Sequence, residues 1–159
     1  MSGQLNLGCG RLVRPGWVNA DAVPGPGVDV VIQGTQLPFP DGSFDEVLMS
    51  HSLEHVPDVG ATLREVHRIL RPRGRLTVIV PYGLRSLLNP LHHHAFDEHS
   101  MDLFTKRDEK SLEQEPLFEK FRVAITSRGF PWWHVRKYTG LELPIGIKEE
   151  VTFWLLRRS

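Results

Sequence analysis

Two short segments near the start of the chain carry residues suited to binding a nucleoside. Leu5-Asn6-Leu7 has the character of a β-strand and runs into Gly8-Cys9-Gly10, where the glycines let backbone approach a ligand closely because no Cβ intrudes. A second short strand, Trp17 to Asp21, ends on a carboxylate, which can accept hydrogen bonds from both hydroxyls of a ribose. Glycine turn and acid together predict a nucleoside-bearing cofactor at the carboxyl ends of the strands.

The spacing after the glycine turn disfavours a dinucleotide. A dinucleotide fingerprint has a third glycine and a helix whose N-terminus binds the pyrophosphate. Here Arg11, Leu12 and Val13 follow Gly10, and the stretch from Arg11 to Gly16 is too short for a full crossover helix. The sequence therefore favours a nucleoside without a pyrophosphate over NAD or FAD.

The elements that position these residues are typical of an α/β fold. Further strands are predicted at Val28 to Ile32, Phe44 to Ser50 and Arg75 to Val80, with a helix at about Asp58 to Leu70. The helix shows an apolar stripe with a period of 3.6 residues, and strand–helix–strand order favours parallel pairing. We expect a Rossmann-like, mostly parallel open sheet in three layers, with reduced N-terminal helices because the first crossovers are short.

The second half of the chain gives weaker signals. Leu84 to Phe104 is predicted to be a loop with one helical turn after Ser100. Lys120 to Thr126 and Glu150 to Leu156 have strand character and are predicted to pair at the sheet edge, which gives an antiparallel edge strand. Gly129 to Gly146 lies between them as a long excursion, and excursions of that length are usually functional or mobile.

A series of motifs resembles the class I S-adenosylmethionine (SAM)-dependent methyltransferases, in particular their type 11 pattern. The motifs follow the family's order over about Leu5 to Tyr82, and they are Leu5 to Gly10, Gly16 to Asp21, Leu37 to Asp45, Leu53 to His55 and Arg68 to Leu76. The resemblance implies one domain over 1–159, with a cofactor-binding half at 1–83 and acceptor-side loops and edge strands at 84–159. It implies methyl transfer from SAM to an unidentified acceptor, expected to be a small molecule. A SAM-binding or partner-binding module without turnover is the alternative.

The same resemblance implies which residues hold SAM. Backbone at Leu7 to Gly10 would face the methionine part, and Asp21 would take the ribose hydroxyls. The ends of the third and fourth strands would line the adenine edge and the opposite side of the cofactor. The full expected set is Asn6, Leu7, Gly8, Cys9, Gly10, Asp21, Ala22, Gln33, Gly34, Ser50 and His51.

Histidines supply the candidates for acceptor chemistry. Methyl transfer from a sulfonium is an in-line displacement, so the protein mainly aligns the reactants, while a hydroxyl acceptor benefits from a general base. His92 and His94 are weak candidates for that base, and solvated loop residues are the alternative. His92, His94, Asp97 and His99 are also zinc-ligand types, but no regular spacing organises them, and we expect no metal site.

Composition limits the partners and the location. The 159 residues include 19 Lys and Arg and 19 Asp and Glu, a balance that disfavours electrostatic binding to nucleic acid or an anionic membrane. No apolar run is long enough to span a bilayer, the N-terminus lacks the features of a secretory signal, and the single Cys9 excludes an intramolecular disulfide. These features predict a cytoplasmic protein without a transmembrane segment or a nucleic-acid partner.

Two further features concern contacts with other molecules. Gly129 to Tyr138 contains Trp132-Trp133 among basic residues, which suits an aromatic or lipid-like acceptor, a partner, a membrane surface, or plain core packing. Short crossovers also predict that one sheet face lacks its helices. Because exposed apolar surface costs about 25 cal/mol per Å², we expect a homo-oligomer or a partner to cover that face.

Overall fold

A seven-stranded mixed sheet organises the chain. The computed structural model describes residues 3–32, 34, 36–106, 116–129 and 146–158. In chain order the strands and α-helices are β1 Gln4–Leu7, β2 Val18–Asp21, β3 Val30–Val31, β4 Phe44–Ser50, α1 Val59–Ile69, β5 Leu70–Pro81, α2 Asp102–Thr105, β6 Phe118–Gly129 and β7 Gly146–Arg157. Two 3-10 helices, Leu53–His55 and Leu84–Leu88, follow β4 and β5.

The strand order is β3-β2-β1-β4-β5-β7-β6. Strands β1 to β5 pair in parallel, and β7 pairs antiparallel with both β5 and β6. The predicted mostly parallel open sheet with an antiparallel edge is therefore confirmed. Because β1 lies between β2 and β4, the chain segments that leave these three strands meet at one edge of the sheet.

One face of the sheet carries the hydrophobic core. Alternate residues of β5 and β7 point into it, as a two-residue side-chain period requires, and helix α1 packs there through residues spaced three and four apart. The fully buried members on these three elements are Leu70, Leu76, Val78, Val80, Val151, Phe153, Leu155, Leu63, Val66 and Ile69. Phe104 of α2 joins the same cluster, so both described α-helices contribute to this face.

The opposite face is polar over much of its described area. The Gln4 side chain donates to Glu46 Oε2 at 2.9 Å, and Arg75 lies 3.7 Å from the same oxygen. Arg122 stacks over the Trp154 ring, 4.9 Å from its centroid. Within the described residues no helix joins β1 to β2 or β2 to β3, which confirms the predicted reduction of the N-terminal helices. These charged side chains lie beside the half-buried Ile79, Trp154 and Leu156, so this face is less uniformly apolar than predicted.

Helix α1 begins and ends where local chemistry dictates. The Asp58 side chain accepts a hydrogen bond from Ala61 N at 2.9 Å and caps the helix. At the other end Leu70 has extended backbone angles, and β5 starts there without a loop. Neither of the described α-helices is long and apolar enough to cross a membrane.

Candidate cofactor-binding site

The glycine turn after β1 is held close to β2 and β4. The amides of Gly8 and Cys9 both donate to Ala20 O, at 2.8 and 3.1 Å. Gly8 has a φ of 73°, and a Cβ placed on it would lie 2.3 Å from Ser52 Cβ, so only glycine fits against the segment that leaves β4. Gly10 has a φ of 50°, and a Cβ there would meet nothing within 4 Å. Gly10 therefore leaves an open side to the turn.

Asp21 closes the other side of this turn. Its Oδ2 accepts from Gly10 N at 2.7 Å, and its Oδ1 accepts from Val23 N at 2.9 Å. An ionised carboxylate has about four lone-pair positions, so each oxygen retains capacity for one hydroxyl. The acid is half-exposed, Gly10 leaves an open side, and the described residues between β1 and β2 form no helix that could bind a phosphate. These features fit a ribose whose neighbour is not a pyrophosphate. The structure thus brings together the two features that the sequence analysis paired.

Three of the predicted residues are largely enclosed by protein. The Asn6 side chain is buried and donates to Leu12 O at 2.8 Å and to Asn19 Oδ1 at 3.0 Å, so its amide nitrogen supports the loop after the glycine turn. Leu7 is also buried, and only its backbone reaches the sheet edge. Cys9 is buried, and burial together with the Asp21 charge raises the pKa of its thiol. Their roles toward a cofactor stay predictions.

The remaining predicted residues lie at the ends of β2, β3 and β4. Ala22 is exposed immediately after Asp21, and Gly34, with a φ of 78°, follows β3. Gln33 lies outside the described residues. Ser50 ends β4 and is half-buried. This placement at adjacent strand ends is the one that a nucleoside binder of this type requires.

His51 follows β4 and sits between two carboxylates. Its φ of 51° is in the left-handed region, which is uncommon for a residue other than glycine. Its Nε2 lies 3.0 Å from Glu150 Oε1 of β7, and its Nδ1 lies 3.6 Å from Glu54 Oε1. The Glu54 carboxylate, with a further contribution from Glu150, raises the pKa of His51 above its usual value.

The segment after β5 folds back onto the 3-10 helix Leu53–His55. His93 N donates to Glu54 O at 2.8 Å, and His94 Nε2 lies 2.9 Å from Val56 O. The His92 ring packs edge-on against His55, with 4.7 Å between centroids. Four leucines of this segment are exposed, namely Leu84, Leu87, Leu88 and Leu91. The acceptor side predicted from the sequence therefore combines imidazoles with an apolar surface.

Some residues of this region were not predicted from the sequence as site residues. Ser52 donates its hydroxyl to Leu7 O at 3.1 Å and fills the space beside Gly8. Glu150 reaches His51 from the far end of the chain, and no local pattern signals that contact. Glu54 lies within the motif Leu53 to His55, but no local pattern signals that its side chain is buried. The Trp132-Trp133 stretch of the predicted excursion lies outside the described residues.

Comparisons with known proteins agree with this geometry. Residues 18–78 match the family described as methyltransferase domain. A SAM-dependent methyltransferase of Thermotoga maritima superposes with a TM-score of 0.65 at 20% identity, covering 99% of this chain and 83% of that one. An Archaeoglobus fulgidus SAM-dependent methyltransferase gives 0.65 at 14%, covering 98% and 86%. The match over residues 18–78 and the shared fold support the predicted class I SAM-dependent methyltransferase family.

A curated relative extends the match along the chain. The ubiquinone/menaquinone biosynthesis C-methyltransferase of Xanthomonas oryzae pv. oryzae is 30% identical over 154 residues, which cover 87% of this chain and 56% of the relative. The chain spans about half the length, or less, of several curated relatives that it matches. The predicted open Rossmann-like sheet is confirmed, and the family match and the structural neighbours support the predicted family and SAM as the cofactor.

Proposed function

We propose that this methyltransferase moves the methyl group of SAM to a small-molecule acceptor that has an apolar portion. The observation that carries the proposal is the hydrogen-bonded pair of Gly10 N and Asp21 Oδ2 at 2.7 Å, which forms a nucleoside seat at the ends of β1 and β2. The exposed leucines after β5 supply the apolar surface for the acceptor. The relative named as a quinone C-methyltransferase supports the same class of acceptor.

The chain's contribution to the reaction is mainly positional. SAM supplies a methyl group already activated by its sulfonium, and the protein must hold the acceptor atom in line with it. In this proposal, backbone at Leu7 to Gly10 would face the methionine part, Asp21 would hold the ribose hydroxyls, and the segment after β5 would contribute to the acceptor side. The division into a cofactor-binding half at 1–83 and an acceptor side at 84–159 stays a prediction.

A base for the acceptor, where one is used, is best supplied by His94. Its Nε2 lies 2.9 Å from the Val56 carbonyl oxygen. Because a carbonyl can only accept a hydrogen bond, the ring proton is on Nε2 and Nδ1 keeps a lone pair. His92, the other predicted candidate, has its Nε2 next to the Asn89 amide. His94→Gln should lower kcat for a hydroxyl acceptor while SAM affinity is unchanged, and unchanged kcat would exclude His94.

Calorimetry with SAM, S-adenosylhomocysteine and NAD tests the cofactor assignment. Because hydrogen bonds to charged groups contribute about 1.5–3 kcal/mol each, Asp21→Ala should weaken SAM binding by about 10- to 100-fold or more. Glu119→Gln, an exposed change on β6, is the control and should leave the affinity unchanged. Tight NAD binding, or SAM affinity unaffected by Asp21→Ala, would contradict the proposed seat.

Transfer of labelled methyl groups tests turnover. The acceptor panel should include demethylated quinols with and without an isoprenoid tail, together with polar amines and carboxylates of similar size. Label in the tailed quinol supports an apolar acceptor, and label in the polar compounds alone argues against one. SAM binding without transfer to any member, under conditions where a known methyltransferase turns over, favours the binding module without turnover.

A further inference from the structure

Buried polar atoms without hydrogen-bond partners gather between the 3-10 helix Leu53–His55 and the returning segment. The Glu54 side chain is 1% exposed, and neither of its oxygens has a hydrogen bond among the described residues. His92 Nδ1 is also buried and has no hydrogen-bond partner among the described residues. A buried carboxylate without hydrogen bonds is costly, so a ligand between these atoms would stabilise them.

The cluster has the composition and the spacing of a metal site. One donor atom each from Glu54, His55 and His92 can be chosen so that all lie within 4.8 Å of one another. Zinc ligands lie about 2.0–2.2 Å from the ion, hence about 3.4 Å apart in a tetrahedron, and small side-chain rotations close that difference. We propose that Glu54, His55 and His92 bind a divalent transition-metal ion of the Zn²⁺ type.

His55 is already oriented for this role. Its Nδ1 lies 2.9 Å from Leu91 O, a carbonyl that can only accept, so Nδ1 carries the proton and Nε2 keeps a lone pair. Histidines that bind metals usually donate their other N–H to a carbonyl or carboxylate, which fixes the tautomer and the ring orientation. The Leu91 carbonyl supplies that second contact before any ion is bound.

His92 reaches the same point through Nδ1. Its Nε2 lies 3.0 Å from Asn89 Nδ2, while Asn89 Oδ1 accepts from Leu91 N at 3.1 Å. Binding an ion at Nδ1 moves the ring proton to Nε2, and a half-turn of the Asn89 amide then lets Oδ1 accept from it. The released Leu91 amide is near the surface, where water can accept its hydrogen bond.

His51 does not satisfy these buried atoms in place of an ion. Its Nδ1 is 3.6 Å from Glu54 Oε1, beyond hydrogen-bond distance, and its Nε2 is held by Glu150. It also leaves the unpaired His92 Nδ1 without a partner. A divalent cation satisfies Glu54 and His92 at once and supplies charge where the carboxylate is buried.

This ligand set differs from the zinc-ligand types noted in the sequence, and only His92 is common to both. His94 Nε2 is taken up by the Val56 carbonyl, Asp97 accepts hydrogen bonds within its own turn, and His99 faces Asp102 at 3.4 Å. The three proposed ligands leave a fourth position for water or an acceptor oxygen, as in zinc sites with His₂Glu ligands. Metal binding itself is independent of the proposed methyl transfer.

The test uses the full chain without a polyhistidine tag, stripped with a chelator and titrated with Zn²⁺ alone by calorimetry. We expect one Zn²⁺ per chain and a rise in melting temperature with its concentration. Glu54→Gln and His92→Gln should each weaken binding by more than about 100-fold, since even outer-shell partners contribute about 10- to 100-fold. His93→Gln, next to His92 but not a proposed ligand, is the matched control and should bind as wild type.

Two results overturn the proposal. One is the absence of stoichiometric Zn²⁺ binding to the stripped chain, which would mean that water or His51 is enough to stabilise the buried Glu54 carboxylate. The other is binding that survives Glu54→Gln and His92→Gln, or falls equally in His93→Gln. Thermal unfolding of the stripped variants checks that each folds, and SAM titration of the stripped wild type shows the nucleoside seat separately from the metal site.

Discussion

Arg68 joins helix α1 to the loop that leads into β4, and its replacement should be the costliest single surface change in this half of the chain. Its guanidinium makes five hydrogen bonds, to both Glu65 oxygens, to the carbonyls of Leu37 and Phe39, and to Asp41. The side chain is only 28% exposed. Arginine is suited to this position because its planar fork can donate in several fixed directions at once.

The expected magnitude follows from what a substitution leaves behind. Arg68→Met removes the hydrogen-bond donors of the Leu37 and Phe39 carbonyls and leaves the Glu65 carboxylate with one hydrogen bond, from the amide of Leu37. The contact with Asp41, which is 81% exposed, contributes little. Loss of the other contacts should cost about 2–4 kcal/mol of unfolding free energy. For a domain of this size that is about 4–16 °C in Tm, with Arg68→Lys intermediate.

The pH dependence provides an independent check on the same pair. The hydrogen bonds from Arg68 lower the pKa of Glu65 below its ordinary 4.5. A lowered folded-state pKa stabilises the fold above the unfolded pKa, and that stabilisation is lost as the pH falls through the folded pKa. The difference in stability between wild type and Arg68→Met should therefore be full at neutral pH and shrink below about pH 4.5.

Urea denaturation at several pH values measures these differences. Arg71→Met is the matched control, because Arg71 is 47% exposed and pairs with the partly exposed Asp45, so it should cost less than about 1 kcal/mol. The reasoning is refuted if Arg68→Met costs no more than Arg71→Met. A pH-independent difference would separately refute the assigned role of Glu65.

Three further predictions concern the site and the packing around it. Gly8→Ala should destabilise the fold strongly, because the added Cβ would collide with Ser52. Gly10→Ala should lower the free energy of unfolding by only about 1–2 kcal/mol, because of its positive φ, and should also reduce SAM affinity. Thermal unfolding measures the stabilities and calorimetry the affinity. Burial raises the pKa of Asp102, but Lys106 and Lys120 outweigh it and lower the pKa to about 2. The stabilisation of the fold by the ionised carboxylate is therefore lost as the pH falls from 3.8 to about 2. Asp102→Asn should make the unfolding free energy less dependent on pH in this range. The Cys9 thiol, buried and with a raised pKa, should react with a disulfide reagent far more slowly in the folded chain than in urea.

The cofactor side of the site could be predicted because its parts are close in sequence. Gly8, Gly10 and Asp21 fall within two adjacent strands and their turns, and a direct hydrogen bond joins Gly10 to Asp21. Helix α1 was predictable for the same reason, since its cap and its apolar stripe are local. Strand β3 is shorter than predicted, Val30–Val31 only, because the Asp29 side chain accepts from Asn19 N at 2.7 Å just before it.

The acceptor side depends on contacts that no local pattern encodes. His51 meets Glu150 across most of the chain, and Glu54 meets His92 only because the segment after β5 turns back over the 3-10 helix. The extents of β6 and β7 likewise exceed the predicted strands, since their mutual pairing along twelve residues each sets their length. Sequence patterns report the periodicity of one element, whereas these features arise from the packing of several.

A buried amide network takes the place of the first crossover helix. Asn19, on β2, accepts from Arg14 N at 2.8 Å and from Asn6 Nδ2 at 3.0 Å, and its own Nδ2 donates to the carbonyls of Arg14 and Trp17. Backbone groups of a loop packed on the sheet need such partners, because each buried group left unpaired costs about 1–3 kcal/mol. One asparagine therefore orders the loop that a helix would otherwise order. The glycine turn can then keep its geometry next to Asp21 in a chain whose N-terminal crossovers are only loops.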